Sequence, residues 1–135
     1  MQHNKSYLDI YTGYIVPRIE RADILLKTAE GDIQPSAAAE VLEISPWEVR
    51  HLMDLYHLHH ITRSTFPLIM QGGSSRLCRL FAREVQLGCT DSYLPGGIAY
   101  IYNLDRKAVE AAFKSLGITR ATSSMLREIF ARIPL

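Results

Sequence analysis

Ile98-Ala99-Tyr100-Ile101-Tyr102-Asn103-Leu104-Asp105-Arg106-Lys107-Ala108-Val109 is the stretch on which the fold turns. Pro95-Gly96-Gly97 precedes it, and the apolar run predicts a short helix over Ile98 to Tyr102. Asp105 then stands where a second helix begins. A side-chain oxygen there accepts from a first-turn N–H that has no partner within the helix. That second helix is predicted to end near Leu116-Gly117.

The same pattern occurs earlier in the chain. Ala39-x4-Ile44-Ser45-x3-Val49 matches Ala99-x4-Leu104-Asp105-x3-Val109 in residue class and offset. Ser36 to Glu43 reads as a short helix after Pro35. Ser45-Pro46-Trp47-Glu48 is a strong helix start, with Ser45 as cap, Pro46 at the first helical position and Glu48 completing a capping box. That helix should run to about His57. Further on, Ile61-Thr62-Arg63 matches Ile118-Thr119-Arg120, which makes the second copy three residues shorter. An internal repeat of this kind decides an architecture, so it takes precedence over single-segment readings.

The offsets resemble the helix-turn-helix DNA-binding motif. In that family a small residue lies where two helices cross, an aliphatic follows the turn, a cap starts the second helix, and an aliphatic ten residues after the small one packs back. Ala39, Ile44, Ser45 and Val49 occupy these places in one copy, and Ala99, Leu104, Asp105 and Val109 in the other. The family usually has a left-handed glycine in the turn; here Glu43 and Asn103 stand there, and Glu tolerates that conformation poorly. The resemblance covers residues 34–58 and 94–116.

The remaining punctuation predicts further helices. Pro17 opens one with Ile19, Ala22, Leu25, Leu26 and Ala29 at helical spacing, stopped by Gly31. Tyr7 to Ile15 reads as a separate helix, with Gly13 and Pro17 forcing a break. Phe66 to Gln71 adds a turn or two. Ser74 or Ser75 caps a helix ending at Gly88, with Leu77, Leu80, Phe81 and Val85 on its apolar face. A last helix covers about Ser123 to Arg132. Short extended pieces fit Ile61 to Arg63 and Ile118 to Arg120, but no strand pair is expected. The sequence therefore predicts an all-α protein with two tandem helix-turn-helix units. Its segments are an N-terminal helical arm (1–31), a first unit (32–71), a connecting helix (72–89) and a second unit (90–135).

Composition narrows the function classes. Apolar residues make up 47% and charged residues 21%, which excludes a disordered tether. No apolar run reaches the roughly 18 to 20 residues of a membrane span. No secretory-type hydrophobic core is seen near the start, so a cytoplasmic protein of bacterial or phage type is expected. The net charge of +1 divides unevenly: residues 71–135 hold nine Lys and Arg against five Asp and Glu, residues 1–70 six against nine. The C-terminal half is the one suited to an anionic partner.

If the resemblance holds, the second helix of each unit enters the DNA major groove. Arg106 and Lys107 would reach a guanine edge or phosphates, Lys114 a phosphate, and Glu110 would face the groove; Thr119, Arg120 and Thr122 would add backbone contacts. The first unit presents Trp47, Arg50 and His51. Trp47 has two readings, an exposed anchor for a protein partner or a core residue against the N-terminal helix. Arg76, Arg79 and Arg83 fall on one stripe of the connecting helix, either as a solvated face or as phosphate contacts.

His51, His57, His59 and His60 cluster near a helix C-terminus, where cationic character is favoured; they lack the companions of a zinc site, so no metal is expected. Cys78 reads as a small core residue and Cys89 as exposed. The tyrosines Tyr7, Tyr11, Tyr14, Tyr100 and Tyr102 read as packing residues with wet hydroxyls. No catalytic signature occurs, so neither an enzyme nor a cofactor is expected. The expected function is a DNA-binding transcription regulator with the C-terminal unit as main reader. The alternatives are a protein-interaction module binding a transcription factor or polymerase, and a phage-type DNA-packaging or recombination accessory protein. Trp47 and the N-terminal arm, with Tyr7, Ile10, Tyr14 and Ile15, are the candidate protein contacts, the arm as a homodimer surface.

Overall fold

The computed structural model describes residues 5–88 and 91–135, and the regular elements among them are all helices, with no strand. The helices are α1 (Tyr7–Ile10), α2 (Val16–Thr28), α3 (Pro35–Leu42), α4 (Pro46–Leu55), α5 (Phe66–Gly72), α6 (Arg76–Gln86), α7 (Pro95–Tyr102), α8 (Arg106–Leu116) and α9 (Leu126–Ala131). The all-α architecture expected from the sequence is the one observed. None of these helices is long and apolar enough to cross a membrane. Cys89 lies outside the described residues. Two compact units form: one is Pro17–Ala82, and the other joins the N-terminal segment up to Val16 to Arg83–Leu135.

The local geometry repeats with a constant shift of sixty residues. Ile33 N–H donates to the Ile61 carbonyl at 2.7 Å, and Tyr93 N–H to the Ala121 carbonyl at 2.7 Å. Ile44 N–H closes its turn on the Ala39 carbonyl at 3.1 Å, and Leu104 N–H on the Ala99 carbonyl at 2.8 Å. Both turn residues are left-handed, Glu43 at φ 58° and Asn103 at φ 55°. Asn bears that geometry readily; the Glu43 carboxylate is held by the Arg18 guanidinium in an ion pair. His57 (φ 56°) and Gly117 (φ 68°) form a second left-handed pair after α4 and α8.

This register corrects the three-residue gap expected between the copies. The counterpart of Ile61-Thr62 is Ala121-Thr122, not Ile118-Thr119. Ile61 and Ala121 hold the two bridges, and the hydroxyls of Thr62 and Thr122 meet those of Ser64 at 2.9 Å and Ser124 at 2.8 Å. Backbone pairing selects the register here, and it accepts isoleucine in one copy and alanine in the other.

Two further expectations change. Tyr7 to Thr28 is helical without a gap, because a π turn over Tyr11–Ile15 replaces the break expected at Gly13 and Pro17. A proline ring collides with the carbonyl four residues back, and the widened turn removes the collision. The Ser45 cap is present, with Glu48 N–H donating to Ser45 Oγ at 3.0 Å. The Glu48 carboxylate does not return to Ser45. It accepts from the backbone N–H and the hydroxyl of Ser74, both at 2.7 Å, two donors in place of the one a capping box offers. Ser75, not Ser74, caps α6, its Oγ accepting from Cys78 N–H at 3.2 Å.

In the Pro17–Ala82 unit the core is built on Leu42, Val49, Ile61, Phe66, Ile69 and Cys78, all at most 1% exposed. Gly73 sits so close to Cys78 that a Cβ there would lie 2.4 Å from its sulfur, which is why the joint before α6 is glycine. Burial pushes the Cys78 thiol up from its ordinary range. In the other unit the core comprises Ile15, Ile98, Ile101, Val109, Phe113, Ile129 and Phe130, with α7 packed on α8 and α1 on α9. Tyr7 and Ile15, 3% and 2% exposed, are inside this unit. The arm expected over 1–31 thus divides at Val16, and its Tyr7 and Ile15 serve the chain's own core, which leaves these two residues nothing to offer a second copy. Burial pushes the phenol groups of Tyr11 and Tyr102 up from their ordinary range, so both stay protonated.

The small residue at the α7–α8 crossing gives a direct check. Ala99 is 7% exposed and Val109 fully buried. Ala99→Leu forces extra carbons into a filled corner and is expected to lower stability by about 1–3 kcal/mol, read as a fall in the urea midpoint. An unchanged midpoint would mean that the crossing has room.

Candidate nucleic-acid interface

Helix α8 starts on Asp105, whose carboxylate accepts from Ala108 N–H at 3.2 Å. The cap occupies the acidic group and leaves the first helical positions to Arg106 and Lys107, both exposed. Two cations there oppose the partial positive charge of the helix start, so an anion brought to this end is attracted by side chains and backbone together. The Arg106 guanidinium lies along the first turn of α7, its carbon 3.5 Å from where a Cβ on Gly96 would stand. Its Nε is 3.6 Å from Glu110 Oε1, a pair 74% and 53% exposed. A pair so open to water contributes little and exchanges easily for a better acceptor.

Arg106, Lys107, Glu110 and Lys114 share one outward arc of α8, all exposed, at spacings of three and four. Lys107 and Lys114 take part in no ion pair among the described residues. Thr119 and Arg120 follow in the loop that leads to the Tyr93–Ala121 bridge, and Arg120 Nη1 donates to Ser92 Oγ at 3.3 Å. His60 and Asp32 occupy the same two places in the other copy, with His60 Nδ1 2.6 Å from Asp32 Oδ2. Sequence reading missed both contacts, and the ungapped repeat is the signal that pairs them.

The corresponding arc of α4 has different chemistry. Trp47 is 74% exposed, which rules out its core reading. Its ring stacks on His51 at 5.7 Å with an interplanar angle of 9°. Arg50 is exposed beside them.

The arginine stripe of α6 divides. Arg76 and Arg79 are exposed, Arg79 donating to the Ser74 carbonyl at 3.2 Å. Arg83 is half-buried, and its Nε donates to the Ile101 carbonyl at 2.9 Å. It thereby satisfies an orphan carbonyl in the last turn of α7, a contact that Arg76 and Arg79 do not make.

Among the described residues no group of three His, Cys, Asp or Glu is placed to hold a metal ion. A groove of about 490 Å³ is lined by Ile24, Leu25, Ala37 and Val41 together with Arg21, Thr28 and Glu40. No protein-family model, no curated protein and no solved structure matches the chain.

Proposed function

We propose that this chain is a DNA-binding transcription regulator in which α8 is the reader helix. The observation that carries the reading is the exposed arc of Arg106, Lys107 and Lys114 on the second helix of a tight two-helix corner. In the major groove the Arg106 fork would leave Glu110 for guanine O6 and N7, and Glu110 would then accept from a cytosine amino group. Lys107, Lys114 and Arg120 would sit on phosphates and set the register. The role is one of binding, with no chemical step and no cofactor.

A random-duplex selection at two salt concentrations tests this. An enriched sequence is expected, with affinity falling as salt rises at a log–log slope of about −3 for three neutralised phosphates per chain. Absence of enrichment at both salts, together with no retention on duplex DNA, would sink the reading. A second reading, a module that docks a transcription factor or polymerase, is favoured by one observation only, the outward Trp47. A phage-type packaging or recombination accessory role would show as DNA binding without sequence enrichment.

A further inference from the structure

The outward face of α4 holds large apolar groups that its counterpart does not. Trp47, His51 and Leu55 follow at steps of four, a single stripe along the helix. Trp47 is 74% exposed and Leu55 59%. Sixty residues on, the matching positions of α8 are Lys107, Ala111 and Ser115. The scaffold therefore tolerates small or charged residues at these places, and packing within the unit does not require Trp47 or Leu55 to point outward. Left in water, each forfeits the stabilisation that burial of such a side chain provides. On the adjacent row lie Arg50 and Asp54, both exposed and in no ion pair among the described residues.

We propose that this stripe is a two-fold interface between two copies of the chain, α4 crossing α4 in opposite directions. The order of groups along the helix argues for a second copy. In an antiparallel crossing centred between His51 and Leu52, the Trp47–Leu55 and Arg50–Asp54 pairs each straddle the two-fold axis to within half a residue. Trp47 of one copy meets Leu55 of the other, and Arg50 meets Asp54, each contact occurring twice. A crossing of about −50°, with the i±4 rows of both helices aligned, allows both pairings at once. A parallel crossing would set Arg50 on Arg50 and Asp54 on Asp54. The face is thus complementary to itself in charge and in apolar content. A dimer made this way carries two α8 helices, so a DNA site read by it has two halves. The interface does not rest on the DNA reading, and duplex binding leaves it untouched either way.

Sedimentation velocity of the full chain from roughly 1 to 500 µM, the range of small interfaces, tests it. A concentration-dependent monomer–dimer equilibrium is expected. The emission of Trp47, the chain's single tryptophan, should shift to the blue along the same curve. Trp47→Glu should raise the dimer dissociation constant by about tenfold or more. Should that variant lose its far-UV helical spectrum, the charges decide. Arg50→Asp and Asp54→Arg each weaken the dimer, and the two together restore it, because the swap rebuilds the pair across the two-fold axis. A chain that stays monomeric throughout overturns the proposal, as does a dimer indifferent to all of these variants. A blue shift of Trp47 in the monomer on adding a single-stranded oligonucleotide also overturns it, since the face then belongs to another occupant.

Discussion

Phe130→Ala is expected to destabilise the unit containing α7, α8 and α9 by about 3–5 kcal/mol. Phe130 is fully buried. Its ring centroid lies 4.8 Å from those of Tyr7, Tyr11 and Tyr102, and two of these contacts are edge-to-face. Such pairs add about 0.5–1.5 kcal/mol each beyond area burial. Truncation to alanine leaves three rings around a void, and two of them are held in place by other contacts. Tyr7 is tied by its N–H to the Ile133 carbonyl at 2.8 Å, and the Arg127 guanidinium stands over Tyr11 at 5.7 Å. Chemical denaturation followed by tyrosine near-UV circular dichroism measures the loss, since Tyr7, Tyr11, Tyr14, Tyr93, Tyr100 and Tyr102 all belong to this unit. A loss below about 1 kcal/mol would mean that the cluster does not anchor the N-terminal segment.

Replacing Arg106 and Lys107 together by alanine is expected to weaken duplex binding by about 2 kcal/mol or more, some thirtyfold in affinity. Both side chains are exposed and the cap of α8 resides on Asp105, so folding stability should move by no more than about 0.5 kcal/mol. The salt slope should fall by about one for the lost lysine–phosphate contact. The two residues differ in what their separate loss reveals. Arg106→Ala should relax preference at one base pair, whereas Lys107→Ala should weaken all duplexes alike. Titration by fluorescence anisotropy separates these outcomes. Unchanged affinity in the double variant removes α8 from the reader's role, whatever the rest of the chain does.

Much of the fold was legible because its signals are local. Ser45 and Asp105 announce helix starts through a hydrogen bond spanning three residues, and Pro35, Pro46 and Pro95 mark first turns by lacking a donor. The ten-residue offset from Ala39 to Val49 and from Ala99 to Val109 fixed two corners. The resemblance placed a left-handed turn at Glu43 and Asn103, and both adopt it, Glu43 against the preference of its residue type. The candidate reader was likewise visible, since charge at a helix start needs no neighbour to define it.

Other features depend on residues far apart in the chain. Arg83 looked like one of three equivalent arginines, and the Ile101 carbonyl, eighteen residues on, gave it a different part. Glu48 had a sequence-local partner in Ser45 and took Ser74 instead. Trp47 suited a core or a surface equally well by its chemistry, and only packing placed it in water.

The amino-acid order alone determined that helices form, where most begin and end, and that one corner is built twice, because caps, prolines and apolar spacing act within a turn or two of backbone. Folding in three dimensions decided the register of the repeat and the burial of Tyr7 and Ile15. It also decided which cations stay exposed, because each of these depends on long-range backbone pairing or on the competition of several donors for one carbonyl.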